Sequence, residues 1–154
     1  MGRPLISVRD LTIQFNTDEG TVTAVERVSF DIAPGEVMGL VGESGSGKSV
    51  TAKALMRLNA PNSFYGPDSR IILNLDDREI DVLALKSPSD LKIIRGGAVS
   101  MVFQEPMASF APALTIGSQM AETLMIYLKV PKHEAKNVAI DMLTRVGISD
   151  ASSR

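Results

Sequence analysis

The sequence predicts an α/β fold: an antiparallel β unit feeding a strand–loop–helix unit, with further helices closing the chain. Three observations predict it. Two apolar stretches, Leu5 to Phe15 and Val22 to Ile32, flank the turn residues Thr17-Asp18-Glu19-Gly20. The run Gly42-Glu43-Ser44-Gly45-Ser46-Gly47-Lys48-Ser49 sits between a strand-like and a helix-like segment. From Thr115 onward, apolar residues recur at helical spacing.

Taken in order, Leu5 to Phe15 alternates loosely and reads as a strand. In Val22 to Ile32, Val28, Phe30 and Ile32 share one face, and Ser29 and Asp31 the other. Pro34-Gly35 is a tight turn into Glu36 to Val41, a short apolar strand entering the glycine loop. Val50 to Leu58 leaves the loop as a helix, with Leu55 and Leu58 at helical spacing. Asn59 to Asp68, rich in Pro, Gly, Asn and Ser, reads as a surface loop. Ile71 to Leu75 and Ile80 to Leu83 read as short strands around Asp76-Asp77-Arg78-Glu79. Ser87 as N-cap and Pro88 at the first helical position start a helix through Ile94, which Gly96-Gly97 ends. Ala98 to Phe103 reads as a buried strand with Gln104 at its end. Thr115 to Leu128 places Ile116, Met120, Leu124 and Leu128 four residues apart. Pro131 opens the last helix, where Ala135, Val138, Met142, Leu143 and Val146 form an apolar stripe that Gly147 stops.

The bulk numbers narrow the class of function. The chain has 154 residues, the size of one ordinary domain. With 16 basic and 18 acidic residues, a net charge of −2 and no basic cluster, nothing points to nucleic acid. There is no cysteine, which excludes disulfides and thiolate metal sites. No run approaches the roughly 18 apolar residues that span a bilayer. Met1 to Ile6 has neither the apolar stretch of a signal peptide nor the Ser or Thr at position 6 of a myristoylation site. A membrane role would be peripheral, through a partner.

The glycine run spells G-x-x-x-x-G-K-S, the phosphate-binding loop of P-loop NTPases. Glycines let successive main-chain N–H groups turn around an anion, and a helix starting at the loop points its partial positive end at the same phosphates. In this reading Gly42, Ser44, Gly45, Ser46, Gly47, Lys48, Ser49 and Val50 hold the nucleotide. Lys48 reaches the β- and γ-phosphates as a point charge, and the Ser49 hydroxyl completes the oxygen coordination of Mg²⁺. The bland alternative is a glycine turn that merely joins strand to helix.

Several stretches together resemble the ATP-binding subunits of ABC transporters, in particular those of the oligopeptide/dipeptide permease group. They are Ala24-Val25-Glu26-Arg27-Val28-Ser29-Phe30 before Pro34-Gly35-Glu36, then Val41 to Thr51, then Met101-Val102-Phe103-Gln104-Glu105-Pro106-Met107-Ala108-Ser109. The resemblance implies a RecA-like P-loop NTPase core with an N-terminal antiparallel β subdomain and the start of an α-helical subdomain. Residues 5–41 and 71–83 would form the β subdomain and loop strand, and 42–58 the phosphate loop and helix. Residues 98–104 would be the strand to the Q-loop, and 105–154 the start of the helical subdomain. It further implies that Phe15 stacks on adenine and that Gln104 touches Mg²⁺ and positions the attacking water, with Lys48 and Gln104 serving catalysis. A core-packed Phe15 and a solvent-facing Gln104 are the plain alternatives. Implied partners are transmembrane permease subunits, a second ATP-binding subunit in a homo- or heterodimer, and indirectly a substrate-binding protein. The implied location is the cytoplasmic face of the cell membrane, with Met107, Phe110 and Leu114 as either a docking surface or internal packing.

Some family parts are not found. The signature Leu-Ser-Gly-Gly-Gln has no counterpart; Arg95-Gly96-Gly97 is the nearest text and is not it. Ile71 to Asp77 imitates a Walker B strand but precedes Gln104, so it reads as a strand of the β subdomain. His133, the only histidine, stands at a helix start and reads as an exposed first-turn residue rather than the switch histidine. The expectation is therefore the N-terminal part of a larger ATPase, an incomplete domain, hydrolysis-incompetent alone, whose core strands lack neighbours and favour association. The competing readings are a nucleotide-binding module without catalysis, a soluble ABC-type ATPase uncoupled from transport, and a P-loop kinase. The last lacks a recognisable lid and base aspartate.

Overall fold

β1 (Ile6–Thr17) and β2 (Gly20–Ile32) form a long antiparallel hairpin in the computed structural model, which describes residues 2–75, 78–104 and 110–153. Asp76-Asp77, in the Walker B look-alike, and Glu105 to Ser109, with Met107, lie outside the described residues. The chain divides into two compact units, Met1–Val99 and Ser100–Arg154.

The loose alternation of β1 has a local cause. The register slips between Val8 and Leu11, where Asp10 takes φ 44°. On β2 the matching irregularity is Arg27, with φ 48°. Such bulges turn residues three apart onto one face, so Val8, Leu11 and Ile13 are all fully buried, and Val25 nearly so. Side chains satisfy the displaced amides: Asp10 N–H donates to Ser29 Oγ (2.8 Å) and Arg27 N–H to Thr12 Oγ1 (3.1 Å). Buried Ser69 accepts from the Thr12 amide at 3.0 Å.

β2 occupies one edge of β1 along its length. The other edge is shared by β3 (Ser63–Tyr65), paired through Ile13–Phe15, and β4 (Arg70–Leu75), paired through Ile6–Arg9. β5 (Arg78–Asp81) completes a five-stranded sheet of order β2-β1-β4-β5. β3 falls inside the segment expected to be loop. The expected strand Ile80 to Leu83 instead ends at Asp81, whose carboxylate accepts from the Leu83 amide at 3.0 Å and starts a 3₁₀ turn, Val82–Ala84. On the outer face, the Arg9 guanidinium donates to Asp31 (2.7 Å) and the Ser7 hydroxyl to the same carboxylate (2.6 Å). These two hydrogen bonds hold the Asp31 carboxyl below its ordinary range.

The inner face packs on two short helices. α1 (Lys48–Ala54) buries Thr51 and Ala54, and α2 (Pro88–Ile94) buries Ile94, against Val8, Leu11, Ile13, Val25, Ile71, Leu73 and Val82. α2 begins as expected, with a reciprocal capping box: Ser87 Oγ accepts from Asp90 N–H at 3.1 Å, and Asp90 Oδ2 from Ser87 N–H at 3.3 Å.

In the second unit α3 (Ile116–Tyr127) is capped by Thr115, whose Oγ1 accepts from Ser118 N–H at 3.2 Å. α4 (Lys132–Arg145) ends at Gly147, with φ 82°, where the Ile148 amide returns to Leu143 O at 3.0 Å. The buried seam of α4 is Ala135, Ala139 and Leu143, so of the expected stripe Ala135 and Leu143 are buried, while Met142 and Val146 are 45% and 74% exposed. Likewise α3 buries no residue, and Ile116 and Leu128 of its expected face are exposed. Two helices alone bury only a narrow strip between them, and here two alanines and one leucine of α4 lie in it.

Candidate phosphate-binding site

The loop is positioned from both sides. Upstream, Pro34-Gly35 turns the chain with Gly35 at φ 75°, and Glu36 closes the turn: its amide donates to Ala33 O (3.1 Å) and its carboxylate accepts from Ala33 N–H (2.6 Å). The following Glu36 to Val41 was expected to be a strand and is not one. It has no strand partner among the described residues, and Val37 and Val41 are 97% and 94% exposed. An apolar run becomes a strand only when a neighbour takes its main-chain hydrogen bonds.

The loop itself is tight. Ser44-Gly45 forms a turn, with Gly45 at φ 80° and the Ser46 amide donating to Glu43 O at 3.2 Å. Gly47 caps α1 at φ 86°, and the Thr51 amide donates to its carbonyl at 2.8 Å. A Cβ on Gly47 would lie 2.5 Å from Ala24 O and 3.0 Å from Val25 Cγ2. A Cβ on Gly42 would lie 2.5 Å from Ser46 Oγ. Both glycines are therefore required by close approach, one to the β2 backbone and one across the loop. Gly47 is buried, while Gly42, Ser44, Gly45 and Ser46 face solvent.

Lys48 folds back over the loop. Its ammonium donates to Gly42 O (2.8 Å), Glu43 O (2.6 Å) and Ser46 Oγ (3.3 Å), which uses all three of its donors. A cation is thus held against the loop by its carbonyls and a hydroxyl. Ser49, in the first turn of α1, is exposed. Val50 packs its side chain on the core, so its contribution to an anion can only be its amide. The first-turn amides of α1 lack partners inside the helix. The donor set suits a polyanion: the first-turn amides of α1, one ammonium, and, among the described residues, no carboxylate bonded to Lys48. For a divalent cation the loop offers the Ser49 hydroxyl. No group of three or more His, Cys, Asp or Glu side chains suited to a metal occurs among the described residues.

Phe15 stands on β1, half-buried against the core, paired with Val22 and Ser63. Ile13, on the same strand, pairs with Val25, the residue that abuts Gly47. The hairpin thus brings Phe15 and the loop onto one scaffold. Gln104 belongs to the second unit and is exposed. The strand expected before it does not form: only an isolated bridge joins Arg95 and Val99, and Val102 is 95% exposed. The unit boundary falls inside that segment. His133 is exposed at the start of α4, as expected. Phe110 and Leu114 are 39% and 52% exposed, and Gln119 ties their loop to α3 through Ala111 N–H (3.0 Å), Ala111 O (3.2 Å) and Leu114 O (3.1 Å).

Sequence reasoning missed Arg95. Its guanidinium donates from Nε to Met56 O (2.9 Å) and from Nη2 to Arg57 O (2.5 Å), at the far end of α1. Both partners are main-chain atoms distant in sequence, so no local signal marks them.

The family described as ABC transporter matches residues 25–154. The chain is 41% identical over 150 residues to the dipeptide transport ATP-binding protein DppD of Bacillus subtilis, covering 97% of this chain and 43% of that one. It is 43% identical over 151 residues to a putative peptide import ATP-binding protein of Brucella abortus, covering 98% and 44%. It is 39% identical over 150 residues to the oligopeptide transport ATP-binding protein AmiE of Streptococcus pneumoniae, covering 97% and 41%. The chain thus spans less than half the length of these curated relatives. No helix among the described residues is long and apolar enough to cross a membrane.

Proposed function

Because the chain belongs to the ABC transporter family, we propose that it binds Mg-ATP at Gly42 to Val50 and forms part of an ATPase subunit that powers peptide import. One observation carries the binding: Lys48 caps a loop whose Gly42 and Gly47 leave no room for a Cβ. On nucleotide entry, the Lys48 ammonium exchanges carbonyl partners for the β- and γ-phosphate oxygens. The amides from Gly45 to Val50 surround the β-phosphate, and Phe15 stacks on adenine. The Ser49 hydroxyl would be one oxygen ligand for Mg²⁺, and Gln104 would supply another through its side-chain amide, as suits a hard cation. Gln104 is a poor base, so its part in hydrolysis is to orient water.

The relatives named for dipeptide, peptide and oligopeptide transport support a peptide as cargo. In the proposed assembly two ATP-binding subunits meet permease subunits on the cytoplasmic face of the membrane, and a substrate-binding protein delivers the solute. This chain alone holds Mg-ATP and does not turn it over. Steady-state ATP hydrolysis by the isolated chain, abolished by Lys48→Ala, would reject that last statement.

The binding test is calorimetric titration with Mg-ATP. Charged hydrogen bonds contribute about 1.5–3 kcal/mol each, so Lys48→Ala weakens affinity roughly tenfold or more. Equal affinity in both proteins refutes the role of Lys48. Co-purification with an integral membrane subunit tests the transport role, and its failure favours a soluble ATPase.

A further inference from the structure

The geometry points to Arg95 as a positioning residue for the phosphate loop, an inference that rests on the nucleotide-binding reading of that loop. α1 has only seven residues, Lys48–Ala54. A helix of two turns is not stable on its own, so its direction depends on what holds its ends. At the N-terminal end Gly47 presses on Ala24 and Val25. At the other end, past the C-cap Leu55, the chain reverses through Arg57, at φ 55°, and its carbonyls there lie outside the helix. Arg95 takes two adjacent ones, Met56 O and Arg57 O, with the planar fork of its guanidinium. Its positive charge also suits the negative end of the helix.

Arg95 can hold α1 because it is itself held. Its amide donates to Leu91 O at 2.8 Å, and the Val99 amide returns to Ile94 O at 2.9 Å. Ile94 beside it is fully buried. Gly96 takes φ 81°, and a Cβ on Gly97 would lie 2.9 Å from Ile93 O, so the turn admits no larger residues. Around the same end, Asn59 Nδ2 donates to Val50 O (3.2 Å) and to Tyr65 Oη (3.3 Å), and the Arg57 guanidinium lies 5.0 Å from the Tyr65 ring centre. The Arg95 fork therefore fixes α1 relative to α2 and the sheet, and so aims the amides at its head. Along the sequence, Arg95 also opens the stretch of chain that leads to Gln104.

The test compares the chain with Arg95→Met, Arg95→Lys and, as a control, Arg9→Met, which removes a guanidinium hydrogen-bonded to Val8 O, Phe30 O and Asp31 on the outer sheet face. Mg-ATP affinity is read by calorimetry, and hydrogen exchange is read at α1 and at β1 and β4. Arg95→Met is expected to weaken Mg-ATP binding roughly 3- to 30-fold, in the range of mutations acting through a packed network. Exchange should rise at Lys48 to Ala54 while β1 and β4 stay protected. Arg95→Lys, with one donor centre in place of the fork, should fall between, and it decides the matter if Arg95→Met does not fold. Arg9→Met should lower stability without moving affinity. Unchanged affinity in a folded Arg95 variant overturns the positioning role alone, because it would show the contact to be structural only. Failure of the parent chain to bind Mg-ATP overturns the loop reading and this inference with it.

Discussion

Replacing Gly47 by alanine separates two costs that the structure places at one residue. Gly47 is left-handed at φ 86°, and an added Cβ would sit 2.5 Å from Ala24 O. The backbone conformation costs an L-residue about 1–2 kcal/mol. The near-contact is with a main-chain oxygen of β2, which cannot swing aside as a side chain would. Over-packing of that kind costs about 1–3 kcal/mol. The sum is about 2–5 kcal/mol, a large share of the about 5–15 kcal/mol that holds a typical domain together. Gly45 supplies the comparison: φ is 80°, and a methyl group added there would meet nothing within 4 Å. Gly45→Ala carries the conformational cost only; in both variants alanine also restricts the unfolded chain, a gain of about 0.4–1 kcal/mol that cancels in the comparison. The difference between the two variants therefore isolates the contact with β2, at about 1–3 kcal/mol. Urea unfolding gives both values, with hydrogen exchange at β1 and β4 reporting on the first unit. Equal destabilisation by the two substitutions would refute the close approach of loop and hairpin.

Two further outcomes follow from the surface. The Asp31 carboxyl lies below its ordinary value of 3.8 in the fold, through hydrogen bonds from Arg9 and Ser7. Its contribution is full above that value and is lost as pH falls through the lower folded value, so the stability gap between the chain and Asp31→Asn should shrink on acidification below about pH 4; thermal melts at pH 7 and pH 3 check this, and a gap constant with pH refutes it. The unpaired run Glu36 to Val41 exposes Val37 and Val41 almost completely. Such a run pairs with other chains, so the chain should associate with rising concentration and Val37→Lys with Val41→Lys should suppress it; sedimentation showing a monomer throughout would count against that.

How much of this was legible in the sequence depended on where each residue finds its partners. The glycine loop was readable because most of its contacts are local: Lys48 bonds Gly42, Glu43 and Ser46, and a Cβ on Gly42 would meet Ser46, whereas the approach of Gly47 to Ala24 and Val25 of β2 left no local signal. The capping box at Ser87 and the stop at Gly147 were readable for the same reason. β1 and β2 were found from apolar alternation, but the bulges at Asp10 and Arg27 were not, since neither residue is flanked by turn-forming partners. β3 was hidden because Ser63–Tyr65 is short and sits among prolines and glycine. Glu36 to Val41 and Ala98 to Phe103 have the composition of strands but find no ladder among the described residues. Composition states what a segment could pair with, not whether a partner is there. In α4 the choice of Ala139 over Met142 for the seam depends on how closely α3 approaches, which periodicity does not encode.

The paired bulges reach further than the sheet. Each is pinned by a hydroxyl from the opposite strand, Ser29 for Asp10 and Thr12 for Arg27. A slip of one position would turn Val25 outward and carry Ala24 O away from the head of α1. Two modest hydroxyls thereby set the alignment of a glycine loop that neither of them touches. Sequence changes at Thr12 or Ser29 should then be felt at the glycine loop, as altered affinity for the nucleotide proposed to bind there, rather than as lost folding.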